Sequence, residues 1–310
     1  MNGVLSVDKP AGLTSFDVVA RLRRIYRERR VGHAGTLDPM ATGVLVCCLG
    51  EATKLVPFLM EADKTYCATL LLGITTDTDD ADEGARILAR ADPERLRAVT
   101  PEQVVAALHA QRGTVLQRPP RVSALKVEGQ RLYARARAGD EDLEAHLASK
   151  QRLVNIYDIS VQEVALPQVT FTVRCGRGTY IRSIARDVGE ALGTGGHLVA
   201  LRRLRVGRFT VEESAQLVRL EEGRDALSGN FKIYSPAEAL SHLPTVHLSG
   251  AEAARLRRGH QGAAQEVGRR LGPEAGNLAA ALDPAGRLVA VLGRSGSSWR
   301  IERGFTGAET

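Results

Sequence analysis

Gly32-His33-Ala34-Gly35-Thr36-Leu37-Asp38-Pro39-Met40-Ala41-Thr42-Gly43 is the stretch on which the reading of this chain turns. Glycine tolerates positive φ and lets a second backbone or a ligand come close. Pro39 fixes its own φ and pushes Asp38 away from the helical region, which predicts an extended, loop-like Asp38. The run that follows, Val44-Leu45-Val46-Cys47-Cys48-Leu49, is short and apolar and reads as a buried strand. One carboxylate is thus mounted on a stiff loop against a buried strand, a placement that suits a catalytic group. On spacing alone, an ordinary Asp-Pro turn is the commoner outcome.

The residue types narrow the choice. Gly-His-Ala-Gly-Thr-Leu-Asp-Pro-Met-Ala-Thr-Gly closely resembles the signature of the bacterial tRNA pseudouridine synthase family called TruB. The resemblance implies that Asp38 is the catalytic residue. It also implies that His33 contacts RNA and helps hold a flipped nucleotide, although by itself His33 reads as loop structure.

Upstream, Val4 to Val7 reads as a short strand that ends in the breaker-rich turn Asp8-Lys9-Pro10-Ala11-Gly12-Leu13-Thr14-Ser15. Thr14 and Asp17 have capping-box spacing, so a helix should follow. Val18, Val19, Leu22, Ile25 and Tyr26 recur at helical spacing as its buried stripe. Arg21, Arg24 and Arg27 fall on another face, either solvated or turned to RNA. Lys-Pro-x-Gly-x-Thr-Ser opens the TruB sequences as well.

Downstream, Lys64 to Gly73 reads as a strand. Tyr66 suits a strand interior; the resemblance places it under the target base. Asp77, Asp79, Asp80, Asp82 and Glu83 then form an acidic cluster. It fails the calcium-loop pattern, with Ala81 at the fifth position and Leu88 where a bidentate Glu belongs, and it reads as a solvated loop. Pro101 to Arg112 reads as a helix. From Gln117 to Arg137 the chain is strongly basic, through Arg118, Arg121, Lys126, Arg131, Arg135 and Arg137. Such a run is either a solvated helix or a source of phosphate contacts. Pro119 to Lys126 matches the Pro-Pro-x-x-Ser-Ala-Leu-Lys motif of the RNA-gripping thumb, an insertion at about residues 117–150.

Leu153 to Val164 and Val169 to Cys175 alternate like paired strands, with Pro167 in the turn. Gly176 to Glu190 then reads as a glycine-rich turn and a helix, with Gly178 or Thr179 as its cap. Arg182 offers a planar fork for a carboxylate or phosphate and fits a structural ion pair equally well. The resemblance implies that Arg182 pairs with Asp38, that Tyr180 lines the base pocket and that Leu201, otherwise ordinary core, walls it. Beyond a boundary near Leu243-Pro244, Leu248 to Arg258 reads as a helix, a glycine-rich middle follows, and Leu288 to Leu292 and Ser298 to Glu302 read as strands.

Composition agrees with a globular chain that meets a polyanion. The 310 residues carry a net charge of +6, with 44% hydrophobic and 25% charged residues. The N-terminus lacks the basic start and apolar core of a signal peptide, and no apolar run approaches the roughly 20 residues that span a bilayer. The four cysteines show no CxxC spacing, so a reducing cytoplasm is expected. Phosphate-loop and dinucleotide motifs are absent, and neither metal nor cofactor is expected.

The resemblance covers nearly all of residues 3 to 210. It implies an α+β fold: a pseudouridine-synthase catalytic domain, residues 1–243, on a mixed, mainly antiparallel sheet with flanking helices. A small β-rich PUA-like RNA-binding domain, residues 244–310, follows. It implies a monomer that isomerises a uridine in the T-arm of tRNA, position 55, without a guide RNA. The competing readings are a guide-RNA-dependent catalytic subunit and an RNA-binding or tRNA-folding protein without chemistry.

Overall fold

The computed structural model describes residues 1–122, 126–127, 130–131, 143–223 and 231–306. Ser123 to Leu125 of the thumb motif, and Arg135 and Arg137 beyond it, lie outside the described residues. The chain opens with β1 (Gly3–Lys9), α1 (Ser15–Ile25), β2 (Val31–His33) and β3 (Thr42–Leu49). It continues through α2 (Val56–Met60), β4 (Lys64–Leu72) and the hairpin β5 (Ile74–Thr76) and β6 (Ile87–Arg90). Then come α3 (Pro93–Arg97), α4 (Pro101–His109), β7 (Gly113–Gln117), the small pair β8 (Lys126–Val127) and β9 (Gln130–Arg131), and α5 (Leu143–Ser149). The long hairpin β10 (Arg152–Ala165) and β11 (Gln168–Cys175) leads into α6 (Ile181–Ala191) and β12 (Gly196–Val206).

Among the described residues one large sheet runs β1, β3, β12, β4, β11, β10, β7, with β2 on β3. Its neighbours in that series are antiparallel except β3 and β12, which run parallel with Gly43 opposite Arg203. The fold is therefore α+β on a mixed, mainly antiparallel sheet, as the resemblance implied. β3 has no solvent face. Leu45, Cys47 and Leu49 enter one core, and Val44, Val46 and Cys48 enter the other. This explains its unbroken apolar run, since alternation survives only where one face meets water. α1 closes the first core through Val18, Val19 and Leu22, and Thr14 with Asp17 makes the expected capping box.

The sequence from Val211 to Leu220 reads as helical, but after β12 the chain is helical only from Leu217 on. The short strands β13 (Phe209–Thr210) and β14 (Ala215–Gln216) come first, then α7 (Leu217–Glu221) and α8 (Pro236–Ala239). β14 extends the large sheet beside β1. A second sheet holds β15 (Thr245–His247), β16 (Leu278–Leu282), β17 (Leu288–Ser295) and β18 (Ser298–Gly304). α9 (Gly250–Arg257) and α10 (Gln261–Gly268) pack on it. α10 lies in the glycine-rich middle that follows α9. Packing overrides propensity there: a Cβ at Gly268 would stand 2.2 Å from the Trp299 ring, so only glycine lets the helix approach. Ala280, Leu288, Val291 and Phe305 of this C-terminal part share a core with Val4, Val44 and Leu55.

Candidate active site

Asp38 sits in the loop between β2 and β3, and two buried cations fix that loop by its carbonyls. The β1 alternation carries Leu5 and Val7 into the core, and Lys9 follows in the same parity. The Lys9 side chain is fully buried and donates to the carbonyls of Leu13 (2.6 Å), Pro10 (2.9 Å) and Pro39 (3.1 Å). Burial lowers its pKa to about 8, against the opposing pull of the Asp38 carboxylate. From β12, Arg203 donates to the carbonyls of Val44 (2.6 Å), Gly35 (3.0 Å) and Thr36 (3.3 Å). Ser15 bonds both the N–H and the carbonyl of Leu37.

Arg182, on the first turn of α6, faces Asp38. Its Nη2 donates to Oδ1 at 3.1 Å, and its Nε stands 3.0 Å from Oδ2. The same Nη2 also donates to the Val122 carbonyl (3.1 Å), and Nη1 reaches the Thr78 carbonyl (2.9 Å) and Asp80 Oδ2 (3.2 Å). Arg186, one turn on, holds Asp79 at 2.8 Å and also contacts Asp187. The acidic stretch is thus not a solvated loop at its centre. Asp79 and Asp80 are buried, because residues 79–80 dock on β12 at Leu198 and meet two arginines of α6. Burial raises the Asp79 pKa to about 6 against the pull of Arg186, and moves Asp80 in the same direction against Arg182. Sequence reasoning passed over Asp79, Asp80, Lys9 and Arg203; only the parity of Lys9 with Leu5 and Val7 signals its burial.

A cleft of about 1010 Å³ opens over Asp38. Asp38, Tyr66, Tyr180, Arg182 and Leu201 all line it, with Lys64, Arg152, Arg177 and Arg203 adding positive charge. Tyr66 rises from β4, largely buried, and its hydroxyl pKa is raised by burial. Leu201 comes from β12, where it pairs with Ala68. Tyr180 is itself the N-cap of α6 and has no side-chain cap, so neither Gly178 nor Thr179 takes that place. His33 does not line the cleft. It is half-buried at the end of β2, its pKa is lowered by burial and by Arg203, and its buried Nδ1 has no hydrogen-bond partner among the described residues.

The arrangement is one half-exposed carboxylate, forked by an arginine, in a cationic cleft with two aromatic walls. That is a place for an unstacked base attached to a phosphate backbone. Two family models match in tandem: TruB family pseudouridylate synthase (N terminal domain) over residues 23–181 and tRNA pseudouridylate synthase B C-terminal domain over residues 182–231. The tRNA pseudouridine synthase B of Thermobifida fusca is 44% identical over 308 residues, spanning 96% of each chain. The chain belongs to the TruB family of pseudouridylate synthases.

The protein of the same name from Syntrophotalea carbinolica is 42% identical over 293 residues, 93% of this chain and 91% of that one. Among solved structures, a chain of a Cbf5-Nop10-Gar1 complex superposes with a TM-score of 0.71 at 28% identity, covering 97% of this chain and 84% of its own. A chain of an H/ACA RNP bound to a substrate RNA containing 2'-deoxyuridine gives 0.69 at 26% identity, covering 98% and 84%. As a TruB-family enzyme the chain is an isomerase. Both family matches end by residue 231, so the sheet of β15 to β18 lies beyond them. Among the described residues no helix is long and apolar enough to cross a membrane.

Proposed function

We propose that this enzyme isomerises one uridine in the T-arm of tRNA, position 55, to pseudouridine, alone and without a guide RNA, with Asp38 as the reacting carboxylate. The observation that supports this most is the Arg182 fork on Asp38 inside a cleft walled by Tyr66, Tyr180 and Leu201. The reaction breaks the bond from ribose C1′ to base N1 and makes one from C1′ to C5. The C5 hydrogen leaves as a proton and N1 gains one, so product and substrate are isomers.

A base in a folded loop leaves its stack to reach Asp38, at a cost of a few kcal/mol. Stacking on an aromatic ring returns about 1–3 kcal/mol per base. Tyr66, Tyr180 and Leu201 form the receiving walls in this reading, His33 holds the vacated RNA, and Arg182 orients both Asp38 oxygens toward the sugar or the base. Residues 1–243 then form the catalytic domain and residues 244–310 an RNA-binding domain.

A guide-dependent reading draws on the likeness to the Cbf5-Nop10-Gar1 chain. One assay separates the two. The protein is incubated with tRNA transcript carrying tritium at uridine C5, without guide RNA, beside Asp38→Asn. Release of one tritium per tRNA by the wild type, none by a variant that still binds tRNA, and none from a transcript with cytidine at position 55 is expected. Near-normal release by Asp38→Asn overturns the role of Asp38. Tight binding without release by the wild type favours the guide-dependent reading.

A further inference from the structure

The backbone of Tyr180 is held by a side chain from the far edge of the sheet. Gln117 ends β7 and is 2% exposed. Its Oε1 accepts from the Tyr180 N–H at 2.7 Å, and its Nε2 donates to the Tyr180 carbonyl at 3.0 Å. A primary amide presents donor and acceptor side by side. Gln117 therefore pairs with Tyr180 as an adjacent peptide strand would. Tyr180 needs such a partner, because it opens α6 in an extended conformation, φ −99° and ψ 113°, without a cap.

Directly across the ladder from Gln117 stands Arg152 of β10. Its guanidinium lies 5.0 Å from the centroid of the Tyr180 ring and hydrogen-bonds the Gly178 carbonyl. A Cβ at Gly178, where φ is +81°, would come within 3.1 Å of the guanidinium carbon. One cross-strand pair thus grips Tyr180 by its backbone and by its ring face.

We propose that Gln117 is a positioning residue for the isomerisation: its amide fixes the Tyr180 backbone, and with Arg152 on the ring face it sets where Tyr180 meets the target base. The proposal rests on the reading of Tyr180 as a wall of the base pocket. Gln117 itself does not line the cleft. Releasing its two bonds unties the Tyr180 backbone while Gly176 stays on the Asn155 carbonyl, and a ring displaced by about 1 Å is enough to cost on the order of 100-fold in rate.

The test uses Gln117→Met, which keeps length and apolar contact and removes both bonds, in single-turnover reactions on tRNA. The expected result is a rate about 10–100-fold lower with tRNA affinity within about threefold of wild type. In a Tyr180→Ala background the same change should cost almost nothing more, because the group it positions is gone. Losses that multiply overturn the proposal, as does an unchanged rate in Gln117→Met. Gln117→Leu, which also removes both bonds, serves if the Met variant does not fold, and a rate equal to wild type from it overturns the proposal.

A second readout needs no activity. With 3-fluorotyrosine at the six tyrosines, the Tyr180 resonance is assigned by its loss in Tyr180→Phe. It should shift or broaden in Gln117→Met; an unchanged line overturns the clamp. If the wild type makes no pseudouridine but this line responds, the tRNA reading fails and the clamp stands.

Discussion

Arg182 shares one guanidinium between Asp38, at the surface of the cleft, and Asp80, beneath it. Neutralising Asp80 removes one of the anchors that aim the fork. Asp80→Asn should slow single-turnover pseudouridine formation about 10–100-fold while tRNA affinity stays near wild type; equal rates would show that the backbone carbonyls of Thr78 and Val122 suffice. Asp79 gives a different signal. Burial raises its pKa to about 6, above the value of an unfolded Asp, so the folded state holds this proton more tightly. The stability this contributes is complete below about pH 4 and is lost as pH rises through about 6. Asp79→Asn should therefore gain on the wild type as denaturation midpoints are followed from about pH 4 to about pH 6, whereas parallel profiles would mean Asp79 stays ionised beside Arg186. Asp38 and Arg182 were legible because each sits in a distinctive local pattern. Asp79 and Asp80 were not, because a run of acidic residues reads as solvated and their burial depends on α6 and β12, more than 100 residues away.

Gly43 carries the junction on which the site depends. There β3 meets β12 in parallel, which brings the Asp38 loop beside Leu201 and Arg203. Its φ is +100°, and a Cβ would lie 2.2 Å from the Arg203 carbonyl oxygen. Gly43→Ala should destabilise the protein by about 3 kcal/mol or more through a strained φ and a forced-apart ladder, read as a drop in urea midpoint at constant slope. A shift under about 0.5 kcal/mol would show that the two strands part easily. At this scale the sequence was informative wherever its period matched its surroundings. α1 showed a 3.6-residue stripe and its capping box, β10 and β11 alternated, and β3 ran apolar because both its faces are covered. Reading failed where the deciding contact was distant or the element was short. α10 packs only because Gly268 fits under Trp299, and residues 209–210 and 215–216 form two-residue strands that leave no periodic trace.

Across the whole molecule the two sheets are not independent. Val4, Val44 and Leu55 from the start of the chain pack with Ala280, Leu288, Val291 and Phe305 from its far part. The Glu51 carboxylate accepts from the Thr306 N–H and hydroxyl, and Lys54 donates to the Gly304 carbonyl. Phe305→Ala should cost about 3–5 kcal/mol and lower the melting temperature of the whole protein in one transition. A separate low-temperature transition, with the site unaffected, would show that the second sheet melts alone. The shared core also has a consequence for how the chain is made. Residues 4–59 leave the ribosome roughly 250 residues before Phe305, so at 5–20 residues per second the last part of their cover arrives about 10–50 s later. Val206, Phe209, Tyr234 and Leu240 of the same core are made before residue 288, so a chain stalled there has this face only partly covered.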